Sequence, residues 1–133
     1  MAKIPFSKLQ VAVNNTVTCV CHESKNGTVI EYEVKNYLPF KEKLTLISNI
    51  INQSIDDNNF YNPMRLKLYT VLEITYAYTN LTFTEKMKDD PFKLYDMLIS
   101  SGIFKNILNI IKDGDWQDIQ ENITTVIDNI YKY

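Results

Sequence analysis

The chain has 133 residues, 45% of them hydrophobic and 23% charged, the composition of an ordinary globular domain. At this length folding buries roughly two-thirds of the unfolded surface, so neither disulfides nor a metal are needed to hold a core. Fourteen basic residues against sixteen acidic ones give a net charge of −2, which excludes a polybasic footprint for nucleic acid or anionic lipid.

Residues 1–8 read as an extended arm, because Pro5 fixes its own φ and biases Ile4 away from helix. The arm has no apolar h-region of a secretory signal. Its Ile4, Pro5 and Phe6 precede the first regular element; they either fold back on the parent domain or dock on a neighbouring subunit. Residues 9–35 form a β-hairpin region. Thr16 to His22 alternates Val17, Cys19 and Cys21 against Thr16, Thr18 and His22, and Thr28 to Val34 alternates Ile30, Tyr32 and Val34 against Glu31 and Glu33. Between them Asn26-Gly27 is a strong turn signal, since both residues tolerate positive φ. Val11 to Val13 is a candidate third strand. The two cysteines lie too close along one strand for an unstrained mutual disulfide and are expected as reduced, buried thiols.

Residues 39–133 change to a period near 3.6. Lys41 to Ile55 places Leu44, Ile47, Ile50, Ile51 and Ile55 on one stripe, with Lys43 elsewhere. Asn62-Pro63 caps a helix running to about Thr79 that is apolar almost all round, the expected centre of the fold. Thr84 to Met87 adds one turn. Asp90-Pro91 opens a helix over Phe92 to Ser101, closed by Gly102, and Ile103 to Lys112 continues as another. Asp113 or Asp115 is expected to cap the last helix, which carries Trp116, Ile119, Ile123, Val126, Ile127 and Ile130. No repeat or linker divides the chain, so residues 1–133 read as one domain. The fold class is α+β, mainly α: an arm and hairpin, then about five helices around a central apolar one.

Candidate chemistry is sparse. His22 and Cys21 are strand neighbours pointing to opposite faces, which separates a base from a thiol. Cys19, Cys21 and His22 lack the second cluster that a structural zinc needs. Asp113-Gly114-Asp115 has its glycine in the wrong place for a calcium loop. No phosphate-cradling or nucleophile-elbow motif occurs. No catalytic residue, cofactor, metal or small-molecule substrate is therefore assigned. The longest apolar windows carry Lys or Glu and are too short to span a bilayer. Tyr69, Tyr76 and Tyr78 lack the interleaved basic residues of a base-stacking platform, so no specific nucleic-acid binding is assigned. They fit a core or a protein interface, and Tyr76 and Tyr78 join Ile4, Pro5 and Phe6 as candidate contact residues. The excess of 14 Asn, 16 Ile, 9 Tyr and 13 Lys over one Arg and three Ala follows AT-rich codons and marks the genome, not a chemistry.

Several stretches carry a resemblance: Lys3 to Leu9, Tyr37-Leu38-Pro39 with Lys43 to Asn52, Asn59 to Pro63, Thr79 to Lys86, and Asp90 to Asp96. Together they resemble small proteins of tailed phages infecting low-GC Gram-positive bacteria. The resemblance implies a virion component, a multi-copy inner-core or portal-associated head protein. Its partners would be copies of itself and other phage structural proteins, portal or capsid, and its location the virion, after assembly in the host cytoplasm. Two alternatives stand beside it: a tail or head assembly chaperone absent from the mature particle, and a cytoplasmic accessory protein binding a host or replication partner.

Overall fold

The computed structural model describes residues 1–12, 16–111 and 113–130. The chain is α+β and mainly helical. A short 3-10 turn at Phe6–Leu9 is followed by strands β1 (Val17–Glu23) and β2 (Val29–Lys35). Six α-helices follow among the described residues: α1 (Phe40–Ser54), α2 (Pro63–Tyr78), α3 (Glu85–Lys88), α4 (Pro91–Ser100), α5 (Ile103–Ile110) and α6 (Asp113–Ile130).

The strands pair antiparallel, with Thr18 opposite Val34, Val20 opposite Tyr32 and His22 opposite Ile30. The turn differs in detail from the sequence reading. Ser24 donates to the Thr28 carbonyl and Gly27 to that of Ser24, and only Gly27 takes positive φ, at 79°. The loop lies within Glu23 to Gly27, with glycine alone, and not Asn26, at a left-handed position. Val11 and Ala12 are not in a strand, and Val13 lies outside the described residues.

The register sorts the two faces. Tyr32 and Val34 are buried and Val20 half-buried on the face turned to the helices; Cys19, Cys21, Glu31 and Glu33 stand exposed on the other. The expectation of buried thiols is therefore wrong. Cys19 pairs across with Glu33 and Cys21 with Glu31, and a face carrying two carboxylates stays in water.

The edges of the hairpin are treated unequally. Glu33 of β2 donates its amide to Asn80 Oδ1 (2.8 Å) and accepts from the Asn80 amide (3.3 Å), next to a single bridge between Val34 and Thr79. The chain leaving α2 thus covers one edge. Among the described residues no strand lies beyond β1 on the other.

Helix α2 is central: it packs on α1, α4 and α5 and buries Leu68, Val71, Leu72, Ile74, Thr75 and Tyr78. Its start matches the sequence signal, with Asn62 Oδ1 accepting from the amides of Met64 and Arg65 and proline in the first turn. Thr84 and Asp90 cap α3 and α4 in the same way. Helix α1 sits in a different phase from the one expected. Its buried face is Lys43, Leu46, Ile47, Ile50, Ile51 and Ser54, so Lys43 is inside and Leu44, 47% exposed, is outside.

Candidate functional site

The most connected group of polar side chains is interior. Asp115 is only 4% exposed. Its Oδ1 accepts from Lys43 Nζ at 2.9 Å, and its Oδ2 accepts from the Leu38 amide and from the Tyr78 hydroxyl, each at 2.9 Å. Lys43 reaches on to Asp118 Oδ2 at 3.4 Å and lies 4.9 Å from the Tyr37 ring centroid. One carboxylate thereby ties the first turns of α6 to the segment before α1, to α1 itself and to the end of α2.

The electrostatics follow from that geometry. Burial works against the charge on Lys43, but the Asp115 hydrogen bond and the charges of Asp115 and Asp118 outweigh it and hold the ammonium above its ordinary pKa. Burial, then the Asp115 hydrogen bond and charge, push the Tyr78 phenol far up. Its hydroxyl is a fixed donor. The arrangement locks helices together.

Either Asp113 or Asp115 is the cap that the sequence reading expects. Both lie inside α6, and Asp115 turns inward because it sits four residues before Ile119, on the same buried face. Tyr78 must likewise be withdrawn as a contact residue: it is 0% exposed and its hydroxyl is already engaged. Tyr76 is half-buried, its ring 5.3 Å from that of Phe83 and 5.2 Å from Lys88 Nζ. Burial and the nearby Glu73 raise its phenol. Tyr76 also lines a shallow groove of about 310 Å³ between α1 and α2, with Leu38, Glu42, Leu46 and Glu73. A second groove, about 450 Å³, runs between α2, α4, α5 and α6 and is walled by Tyr61, Tyr95, Phe104 and Trp116.

The arm residues stand apart from these. Ile4 is 71% and Phe6 70% exposed, Pro5 is exposed, and Leu9 and Val11 follow the same pattern. The arm is not fully extended, since Lys8 donates to the Pro5 carbonyl and closes one 3-10 turn. No residue of that turn is buried.

His22 is half-buried on the inner face and the thiols are on the outer one, so the structure separates them. Partial desolvation, then the carboxylates of Glu31 and Glu33, push the Cys19 thiol up. Among the described residues no cluster of His, Cys, Asp or Glu is arranged to hold a metal ion, and no helix is long and apolar enough to cross a membrane. Compared with protein-family models, curated proteins and solved structures, the chain finds no match.

Proposed function

We propose that this chain is a non-enzymatic structural protein of a tailed-phage virion, acting in many copies in the inner core of the head or beside the portal. The observation that supports this reading is the arm, where Ile4, Phe6, Leu9 and Val11 are each at least 59% exposed within one short segment. Apolar area left in water costs about 25 cal/mol per Å², and a run of such side chains outside the parent core gains by docking on a neighbour. The body is suited to the role: Asp115 and Lys43 fix α6 against α1 and α2, so each copy presents one rigid surface to the next. The net charge of −2 suits a protein lying near packaged DNA without clamping it.

The test is the protein inventory of purified virions of the phage that encodes this chain. Multi-copy presence, with the chain cross-linking to portal or capsid subunits, is the expected result. Abundance in the infected cell with absence from the particle assigns it to assembly instead, and capture of a host or replication protein with no structural partner overturns both.

A further inference from the structure

We infer that β1 is an interface between copies of this chain: two β1 strands pair antiparallel about a two-fold axis at Val20, extending each hairpin into a shared four-stranded sheet. The inference rests on the reading that copies associate, and it names a surface other than the arm.

Four observations carry it. The first is the direction of the backbone groups. Thr16 accepts from the Asn36 amide and Ser24 donates to the Thr28 carbonyl, so even-numbered β1 residues address β2. By the alternation of an antiparallel ladder, Val17, Cys19, Cys21 and Glu23 then turn their amides and carbonyls to the open edge. The second is that, among the described residues, no strand lies beyond this edge. Asn80 covers the outer edge of β2, whereas β1 carries none of the lysines, prolines or bulges that normally blunt an exposed strand.

The third is room. Tyr32 and Val34 of β2 are buried, while their neighbours Val20 and His22 are half-buried and Thr18 is exposed. Helix α5 packs on both strands, but the cover thins from Tyr32 and Val34 toward β1, which leaves its outer edge accessible. The fourth is self-complementarity. A two-fold at Val20 sets Val17 against Glu23, Thr18 against His22 and Cys19 against Cys21 of the other copy. No like charges are opposed, and Glu31 and Glu33 fall on the outer strands, with two strands between them and their counterparts.

The pairing of Cys19 with Cys21 makes the register readable. Directly opposed residues of a hydrogen-bonded antiparallel pair have Cα atoms about 5.5 Å apart, inside the roughly 4.4–6.8 Å that a disulfide spans. The experiment treats the full chain with diamide at mildly alkaline pH. Each S–S bond forms from two thiols, whose two hydrogens reduce the azo group of diamide to the hydrazine. Non-reducing electrophoresis with mass spectrometry then reads the products of the wild type, of Cys19→Ser, of Cys21→Ser, and of the two variants mixed. The serines replace exposed side chains, so folding is preserved.

The expected result is a covalent dimer in the wild type and in the mixture, with a Cys19–Cys21 linkage, and its loss in each variant alone. Cross-linking of either variant alone as readily as the mixture overturns the two-fold at Val20. Sedimentation of the untreated chain separates the two levels of the argument. Self-association without Cys19–Cys21 linkage overturns the β1 interface and spares the multi-copy reading, whereas a monomer at every concentration overturns both.

Discussion

The joint around Asp115 and the outer side of the hairpin contain the same kinds of group and treat them in opposite ways. At the joint every strong hydrogen-bonding atom named above has a partner, and a buried ammonium faces a buried carboxylate at 2.9 Å. On the hairpin the thiols and carboxylates stand in water, and among the described residues no strand pairs with the outer edge of β1. The difference teaches which part of the chain is finished by its own fold. Polar groups removed from water must be paired internally, while those left in water remain available to a neighbour.

The sharpest way to break this comparison is Asp115→Leu. It takes the acceptor from the Leu38 amide and the Tyr78 hydroxyl and leaves the Lys43 ammonium only the longer contact to Asp118 at 3.4 Å, so a loss of about 3–5 kcal/mol is expected in chemical denaturation. Adding Lys43→Met should restore part of it, because the orphaned charge is then gone. The same pair sets an alkaline limit. Lys43 has its folded pKa above the unfolded value near 10.4. Its contribution is thus fully present below that value and is lost as pH rises through the folded pKa. Denaturation midpoints above pH ~10.4 should fall in the wild type, and in Lys43→Met this component of the slope should be missing.

Two buried tyrosines provide the next contrast. Tyr78 donates to Asp115, whereas the Tyr32 hydroxyl is buried with no hydrogen-bond partner among the described residues. Tyr78→Phe should cost about 1–2 kcal/mol, since it removes a bond to a charged acceptor. Tyr32→Phe removes a desolvated group that has nothing to bond, so its effect should be neutral to stabilising, within about 1 kcal/mol. Equal losses in calorimetry for both variants would erase the distinction.

Smaller effects are expected on the open side. Glu31→Gln with Glu33→Gln removes the carboxylates that push the Cys19 thiol up. Alkylation of Cys19 at neutral pH should quicken, read by mass spectrometry after a timed pulse of reagent, because the thiolate is the reacting form. Deleting residues 1–8 should leave the unfolding free energy within the roughly ±0.5 kcal/mol scatter of surface changes, with the melting temperature little moved, and weaken self-association. A large fall in melting temperature with association unchanged would place the arm in the core.

Much of the fold was legible because its signals are local. Asn62-Pro63 and Asp90-Pro91 act within their own turns, and the caps they announce are present. The hairpin was legible from period-two alternation, and the centrality of α2 from apolar residues on every side. What failed was phase. On α1 a lysine, and on α6 an aspartate, occupy positions in step with the apolar stripes. Lys43 precedes Leu46, Ile47 and Ile50 by three, four and seven residues, and Asp115 precedes Ile119 by four. Reading Lys43 as surface and Asp115 as a possible cap missed both. Two opposite charges, each in phase with a buried stripe, was the signal that could have paired them. The thiols failed for a related reason: alternation shows that a strand has two faces, not which one is covered.

By itself, then, the sequence determined the hairpin and the starts of α2 and α4, because caps, turns and periodicity depend on residues a few positions apart. Only the tertiary structure decided which face of β1 meets the helices, that Tyr78 lies inside, and that Asp115 joins α6 to α1 and α2. Leu38 and Asp115 are separated by 77 positions, and no local preference registers a bond across that gap. The carboxylate turns inward because folding brings one ammonium, one amide and one hydroxyl to the same point, where together they offset the cost of burying it.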